Sequence, residues 1–338
     1  MNIAFWTSID KGGSPLVIGL ERGLKTLGHH VEPHRPSGTY DLTLMFNQSA
    51  HTTDYAYPEM PKDPVVFIDS AEYGYFRRLP GVVHNYWNTF TPAAIGHDTK
   101  NAQQQGRLLE FLRGKSFPYF IREFSKHIAF PANYHPIDYP LYHYSVCHQA
   151  PRREQYLSRE LDLFVSWGAS HPWRMHITEA LRACHTKCEI FVLEQDGAIR
   201  IPHDRYFART SAAKVGVSFD GYGSGSFRMT EVLVRGLLLQ GPLSIRLPVE
   251  LVDGVHCIEY QLETSGEAFL STNVCQKLRE ALSDPERSFR IYEAGYHLVM
   301  QQYTERAMAD YVLRTAFKHD WKVVTELESL PPKTSVTS

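Results

Sequence analysis

Short apolar runs separated by amphipathic stretches recur along the whole chain, the pattern of a parallel α/β fold. In the first half, Ile3–Trp6 reads as a buried strand, followed by a glycine-containing loop, Lys11-Gly12-Gly13-Ser14. A helix then runs to Leu27, and Gly28 suits its C-terminal cap. Further strands are expected at Asp41–Phe46, Val65–Ile68 and around Val82-Val83, with a helix over Gln103–Leu112. Residues 117–153 are rich in Pro, Tyr and His and lack a clear period, which marks them as a crossover between domains.

The second half restarts the rhythm. Strands are expected at Leu161–Trp167, Cys188–Leu193, Lys214–Phe219, Leu243–Ile245 and Cys257–Tyr260. A helix opens near Pro172, a favoured first-turn residue, and another spans Ser226–Arg235 with Gly236 as its cap. Two C-terminal helices and a polar, disordered tail complete the reading. The expected architecture is two Rossmann-like domains facing each other across a cleft, residues 1–150 and 151–330, with the last helix packing back on the N-terminal half. In open parallel sheets the ligand lies at the carboxyl ends of the strands, so the cleft is where chemistry is expected.

The totals agree with two domains: 338 residues, of which 43% are apolar, exceed one ordinary core. A net charge of −2 offers no global field for nucleic acid or anionic membrane. Arg77, Arg78, Arg152 and Arg153 remain as a local patch able to meet phosphates. No apolar run reaches the ~20 residues of a membrane span, and the N-terminus enters a strand pattern without a signal peptide, so a cytoplasmic protein is expected. The five cysteines are scattered, and all are expected to be reduced thiols.

The strongest local signal is GYGSGSFRMTEVLVRG, residues 221–236. A glycine- and serine-rich loop runs into a helix, so backbone N–H groups and the helix dipole can receive an anion. Gly225, Ser226 and Phe227 line that turn. Arg228 can pair with a phosphate, and Glu231, three residues on and on the same helical face, can accept from a ribose diol. An ordinary surface ion pair accounts for the same spacing. A second strand–turn–helix unit, WGASHPWRMHITEAL, places Gly168 and Arg174 at the equivalent point, where Arg174 either reaches a distal phosphate or covers surface. In the first half, Asp69 ends a buried strand and is the candidate general base, with Glu72 in reserve; capping of the next turn is the alternative. Asn47, Ser49 and His51 follow another strand, in DLTLMFNQSAH, and are either ordinary polar loop residues or ligand contacts. Arg122 and Glu123 read as a structural ion pair. No His/Glu zinc spacing and no Asp-x-Asp occurs, so no metal and no resident cofactor is expected.

SFRMTEVLVRG followed by LPVELVDGVHCIEY resembles the donor half of two-domain nucleotide-sugar glycosyltransferases of the GT-B fold. The likeness includes bacterial members with an S-x-R-x-x-E pattern and the phage DNA β-glucosyltransferases, and continues through HDRYFARTSAAKVGVSFDG and EAGYHLVMQQYTERAMADYVL. The resemblance implies that Arg228 binds the donor diphosphate, that Glu231 binds its ribose, that Arg174 reaches the distal phosphate, and that Asp69 deprotonates the acceptor. It implies a UDP-sugar as co-substrate and an acceptor that is a glycan, small molecule, lipid, protein or hydroxymethylated DNA base. Many relatives carry a glutamate where this chain has Gly223, which points to inversion rather than retention. A non-catalytic nucleotide-sugar-binding protein is the alternative of another class.

Overall fold

The computed structural model describes residues 1–6, 15–35, 37–47, 64–69, 117–122, 124, 126, 130, 132–141, 149–168, 172–184, 186–193, 201–219, 227–243, 245–265 and 268–318. The expected strand near Val82, the helix over 103–112, the 11–14 loop and the polar tail lie outside them.

The first half builds an all-parallel sheet from β1 (Asn2–Trp6), β2 (His30–Pro33), β3 (Leu42–Asn47), β4 (Val65–Asp69), β5 (Tyr119–Ile121) and β6 (Tyr134–Pro136), in the order β2-β1-β3-β4-β5-β6. Alternation divides its two faces. Ile3, Phe5, Leu44, Phe46, Val66, Ile68 and Phe120 join the main core, while Met45, Val65, Phe67, Tyr119 and Ile121 form a second cluster behind them. Helix α1 (Pro15–Thr26) buries Leu16, Val17, Leu20 and Leu24 at helical spacing and ends at Gly28, whose φ of 86° is the left-handed conformation a glycine cap adopts without strain.

The second half holds α2 (Arg153–Leu157), β7 (Leu161–Gly168), α3 (Pro172–Arg182), β8 (Cys188–Leu193), α4 (His203–Ala212), β9 (Ala213–Ser218), α5 (Phe227–Leu233), β10 (Leu237–Gln240) and β11 (Ile258–Glu259). Its parallel sheet has the order β11-β10-β9-β7-β8. An antiparallel hairpin, β12 (Leu262–Ser265) and β13 (Ala268–Thr272), follows, then α6 (Val274–Ser283), α7 (Pro285–Gln302) and α8 (Glu305–Lys318). The chain is thus α/β with two Rossmann-like sheets.

Several expectations are corrected. The strand expected at Leu243–Ile245 lies earlier, at Leu237–Gln240, where four buried residues follow the α5 turn directly and Gly241-Pro242 stops the ladder. The crossover stretch contains β5 and β6. Three C-terminal helices stand in place of two, because Asp284 caps α7 by accepting from the Arg287 N–H at 2.9 Å and Pro285 starts it. The five-thiol expectation fails at Cys184 and Cys275, which are paired with Cα atoms 5.5 Å apart; Cys188 and Cys257 are free. Burial pushes the Cys257 thiol up to about 12.

The last helix returns to the first half. The Leu141 N–H donates to the Tyr303 carbonyl at 2.6 Å, and the Tyr311 hydroxyl to the Pro136 carbonyl at 2.9 Å. α8 lies so close to α1 that a Cβ at Gly23 would overlap the Glu305 carbonyl, and one at Gly19 would overlap the Pro140 ring. Gly23→Val is therefore expected to cost about 1–3 kcal/mol through overpacking. A denaturant midpoint equal to that of the parent chain would show that the helices do not approach this closely.

Candidate active site

In the second sheet the strand order reverses between β7 and β9, and ligands of open α/β sheets bind outside the carboxyl ends at such a point. Arg174 straddles this crevice. From the first turn of α3 its guanidinium donates to the Gly168 carbonyl at 3.1 Å and to the Phe219 carbonyl at 2.9 Å, the two residues at the mouths of β7 and β9. Trp167 lies below, 5.7 Å from the guanidinium, fully buried with its indole N–H donating to Thr178. Arg174 is 5% exposed, so the reading that it merely covers surface is corrected. Two carbonyls fix the orientation of a cation that is costly to bury, at the place where the sheet geometry receives ligands. A Cβ built on Gly168 meets no atom of the described residues within 4 Å.

Helix α5 follows β9 and carries Phe227, Arg228 and Glu231; Gly225, Ser226 and Gly223 lie outside the described residues. The Arg228 Nε is buried and has no hydrogen-bond partner among the described residues. A buried guanidinium N–H without an acceptor is uncommon, and each such group costs roughly 1–3 kcal/mol. Tyr206 of α4 interacts electrostatically with both charged side chains. Its hydroxyl ionises well above the usual tyrosine range through burial first and the Glu231 carboxylate second, with Arg228 opposing. Arg235 stacks on the Phe207 ring at 4.1 Å and donates to the Glu231 carbonyl at 3.1 Å, which anchors the end of the helix.

In the first sheet Asp69 ends β4 on the face opposite the main core. It is 1% exposed, and the Tyr119 hydroxyl donates to its Oδ2 at 3.4 Å. The Tyr134 ring stacks on Tyr119 at 4.6 Å, and its hydroxyl ionises well above the ordinary range through burial and the Asp69 charge. Asn47 is the strand neighbour of Asp69 across the β3–β4 ladder. His51, Ser49 and Glu72 lie outside the described residues.

Two residues outside the sequence-based catalytic and binding candidates join these sites. The backbone N–H of Arg122 donates to the Asp69 carbonyl at 3.0 Å, and its fully buried guanidinium lies 4.6 Å from the centre of the Tyr139 ring. Tyr139 in turn stacks on Phe227, the first residue of α5, at 4.1 Å with 29° between the planes. An ion pair of Arg122 with Glu123 had been the expectation; Glu123 lies outside the described residues. Of the basic patch, Arg153 is forked onto Glu286, and Arg77 and Arg78 lie outside the described residues. Among the described residues no group of three His, Cys, Asp or Glu side chains converges to hold a metal, and no helix is long and apolar enough to cross a membrane.

No protein-family model and no curated protein sequence matches the chain. Solved structures do. Anabaena HepE, in complex with UDP and glucose, aligns over 94% of this chain and 100% of its own at 11% identity, with a TM-score of 0.51. The fold is GT-B. The DNA-modifying enzyme β-glucosyltransferase, solved with and without uridine diphosphoglucose, aligns over 93% and 98% at 11% identity with a TM-score of 0.45. An E. coli trehalose-6-phosphate structure bound with UDP-2-fluoro glucose covers 93% and 98% at 9% identity, TM-score 0.41. At these identities the likeness is one of fold. In a GT-B frame Arg174, Arg228 and Glu231 belong to one sheet and Asp69 to the other, joined through Arg122, Tyr139 and Phe227.

Proposed function

We propose that this chain is a glycosyltransferase that moves a sugar from a nucleotide-sugar, a UDP-sugar in the simplest reading, onto an acceptor hydroxyl with inversion at the anomeric carbon. The first half, residues 1–150, takes the acceptor, and the second, 151–330, the donor. The observation that carries the reading is the Arg228 Nε, buried and without a hydrogen-bond partner among the described residues, in the GT-B half whose switch-point crevice also holds the buried Arg174. Two cations fixed at the carboxyl edge of a donor-type sheet suit a diphosphate, whose charge grows as it leaves. Glu231 accepts from the ribose hydroxyls. Asp69 receives the proton of the acceptor oxygen as that oxygen attacks the anomeric carbon and the bond to the diphosphate breaks. HepE, which shares the fold, holds UDP and glucose, and this supports a UDP donor here.

The experiment is a thermal-shift panel of UDP-, GDP-, dTDP- and CMP-sugars, followed by assays of donor hydrolysis and sugar transfer. A donor at 100 times its Kd stabilises by about 2.7 kcal/mol, well above detection. No shift with any nucleotide-sugar defeats the reading; a shift without hydrolysis or transfer reduces it to a binding protein. Activity is also expected to survive EDTA within about twofold, because arginines in place of an Asp-x-Asp metal clamp take the diphosphate charge. Loss on chelation with recovery in Mn²⁺ or Mg²⁺ would mean that a metal supplies this charge instead.

A further inference from the structure

We infer that Tyr139 is a positioning residue that couples the acceptor-side base to the donor helix; the inference rests on the function proposed above. Tyr139 follows β6, in a stretch whose sequence suggests only a linker. Its ring is nevertheless buried between a cation and an aromatic side chain that belong to opposite halves. On one side is Arg122, the residue whose N–H holds the Asp69 carbonyl and whose Cα follows the β5 partner of Asp69. On the other is Phe227, immediately before Arg228. The contacts therefore run without a gap from the strand that carries the base to the first turn of the helix that carries the diphosphate ligand. Cation–ring and ring–ring contacts of this kind have preferred separations and tilts, so together they resist sliding of one half on the other.

Other contacts between the halves lie away from α5. Arg246 N–H donates to the Phe124 carbonyl at 2.7 Å, and Lys126 pairs with Glu250 at 3.9 Å, both on the loop after β10 rather than on α5. Leu141 and Tyr303 hinge the returning helix. The Tyr139 stack touches the element that presents Arg228 and Glu231. A single-displacement reaction needs the acceptor oxygen held within about 3–3.5 Å of the anomeric carbon, and a 1 Å misplacement can cost about 100-fold. Tyr139 sets that distance without touching either substrate.

The test compares Tyr139→Phe and Tyr139→Leu with the parent chain, using the donor found in the panel and its acceptor. Phe keeps both ring contacts; Leu keeps much of the apolar volume but loses them. Tyr139→Phe is expected to retain transfer kcat within about twofold. Tyr139→Leu is expected to lower transfer kcat about tenfold or more, part of the range a 1 Å misplacement spans, with donor Kd and acceptor KM within about twofold. Donor hydrolysis should persist in Tyr139→Leu, so the ratio of hydrolysis to transfer rises. A general loss of structure would instead lower donor affinity and both rates together. Equal transfer kcat in the Leu and Phe variants overturns the inference while leaving the proposed function standing. Absence of transfer in the parent chain overturns the function and the inference with it. Should Tyr139→Leu not fold, Phe227→Leu breaks the same stack from the other half and is read by the same hydrolysis-to-transfer ratio.

Discussion

Replacing Asp69 by Asn is expected to lower turnover by about 10²–10⁴-fold while nucleotide binding stays nearly constant. Asn has the same shape and still accepts from the Tyr119 hydroxyl, so the local hydrogen bond survives, but it cannot take a proton. The carboxylate is 1% exposed, so an acceptor hydroxyl reaches it only when substrate enters the cleft between the sheets. This burial makes the experiment sharp. If Asp69 only held β4 and the Tyr119–Tyr134 stack in place, Asn would be tolerated or would lower activity and thermal stability together. A base shows a fall in kcat at constant unfolding temperature. The anomeric configuration of the product, read from NMR coupling constants, is expected to be opposite to that of the donor. Near-normal turnover of Asp69→Asn, or a retained configuration, would show that the base or the mechanism has been misassigned.

The α/β organisation was legible because buried parallel strands are continuous apolar runs. Leu161–Gly168 and Cys188–Leu193 stand out by composition alone, and the structure ends them within a residue of expectation. β5 and β6 did not stand out, because three residues cannot display a period and half of their positions are two tyrosines and a histidine, with a proline closing β6. The β12–β13 hairpin was hidden for another reason: β12 is polar after Leu262, and a register shift at Glu263/Thr264 interrupts the pairing. The break between α6 and α7 did carry a signal, an Asp-Pro pair inside a helical pattern, and weighing it would have yielded three helices.

The candidate site divides along the same line. Arg228 and Glu231 could be paired on one face of α5 because three-residue spacing is a local property of a helix, and Arg174 could be placed because it follows a strand and a turn. What sequence spacing could not convey was the environment. It left Arg174 open to a surface role, whereas the structure buries it across the β7–β9 crevice. The Arg122–Tyr139–Phe227 contacts join positions from three separate segments, and the Cys184–Cys275 pair joins positions 91 apart. Such contacts depend on tertiary packing between distant segments, which no local pattern encodes.

Arg228→Ala is expected to weaken nucleotide binding by about 1.5–3 kcal/mol, one to two orders of magnitude in Kd, and to leave the unliganded fold as stable as before or slightly more so. The two effects have one cause. In the unliganded chain the Nε is buried without an acceptor among the described residues, which is a cost to the folded state rather than a contribution to it. A phosphate oxygen in reach of that N–H removes the cost and adds a charge-assisted bond, so the arginine stabilises the complex far more than the free protein. Truncation therefore removes binding energy and a folding penalty together. Arg228→Lys should recover little of the loss, since an ammonium on a flexible stem does not reproduce the Nε and Nη fork. Arg153→Ala serves as the contrast: it breaks a solvent-screened surface fork to Glu286 that contributes little to stability, and leaves nucleotide affinity unchanged. Calorimetry with UDP and thermal unfolding of the unliganded variants supply both readings. An unfolding temperature that drops in Arg228→Ala at unchanged nucleotide affinity would return this arginine to an ordinary structural role and leave the donor site without its principal cation.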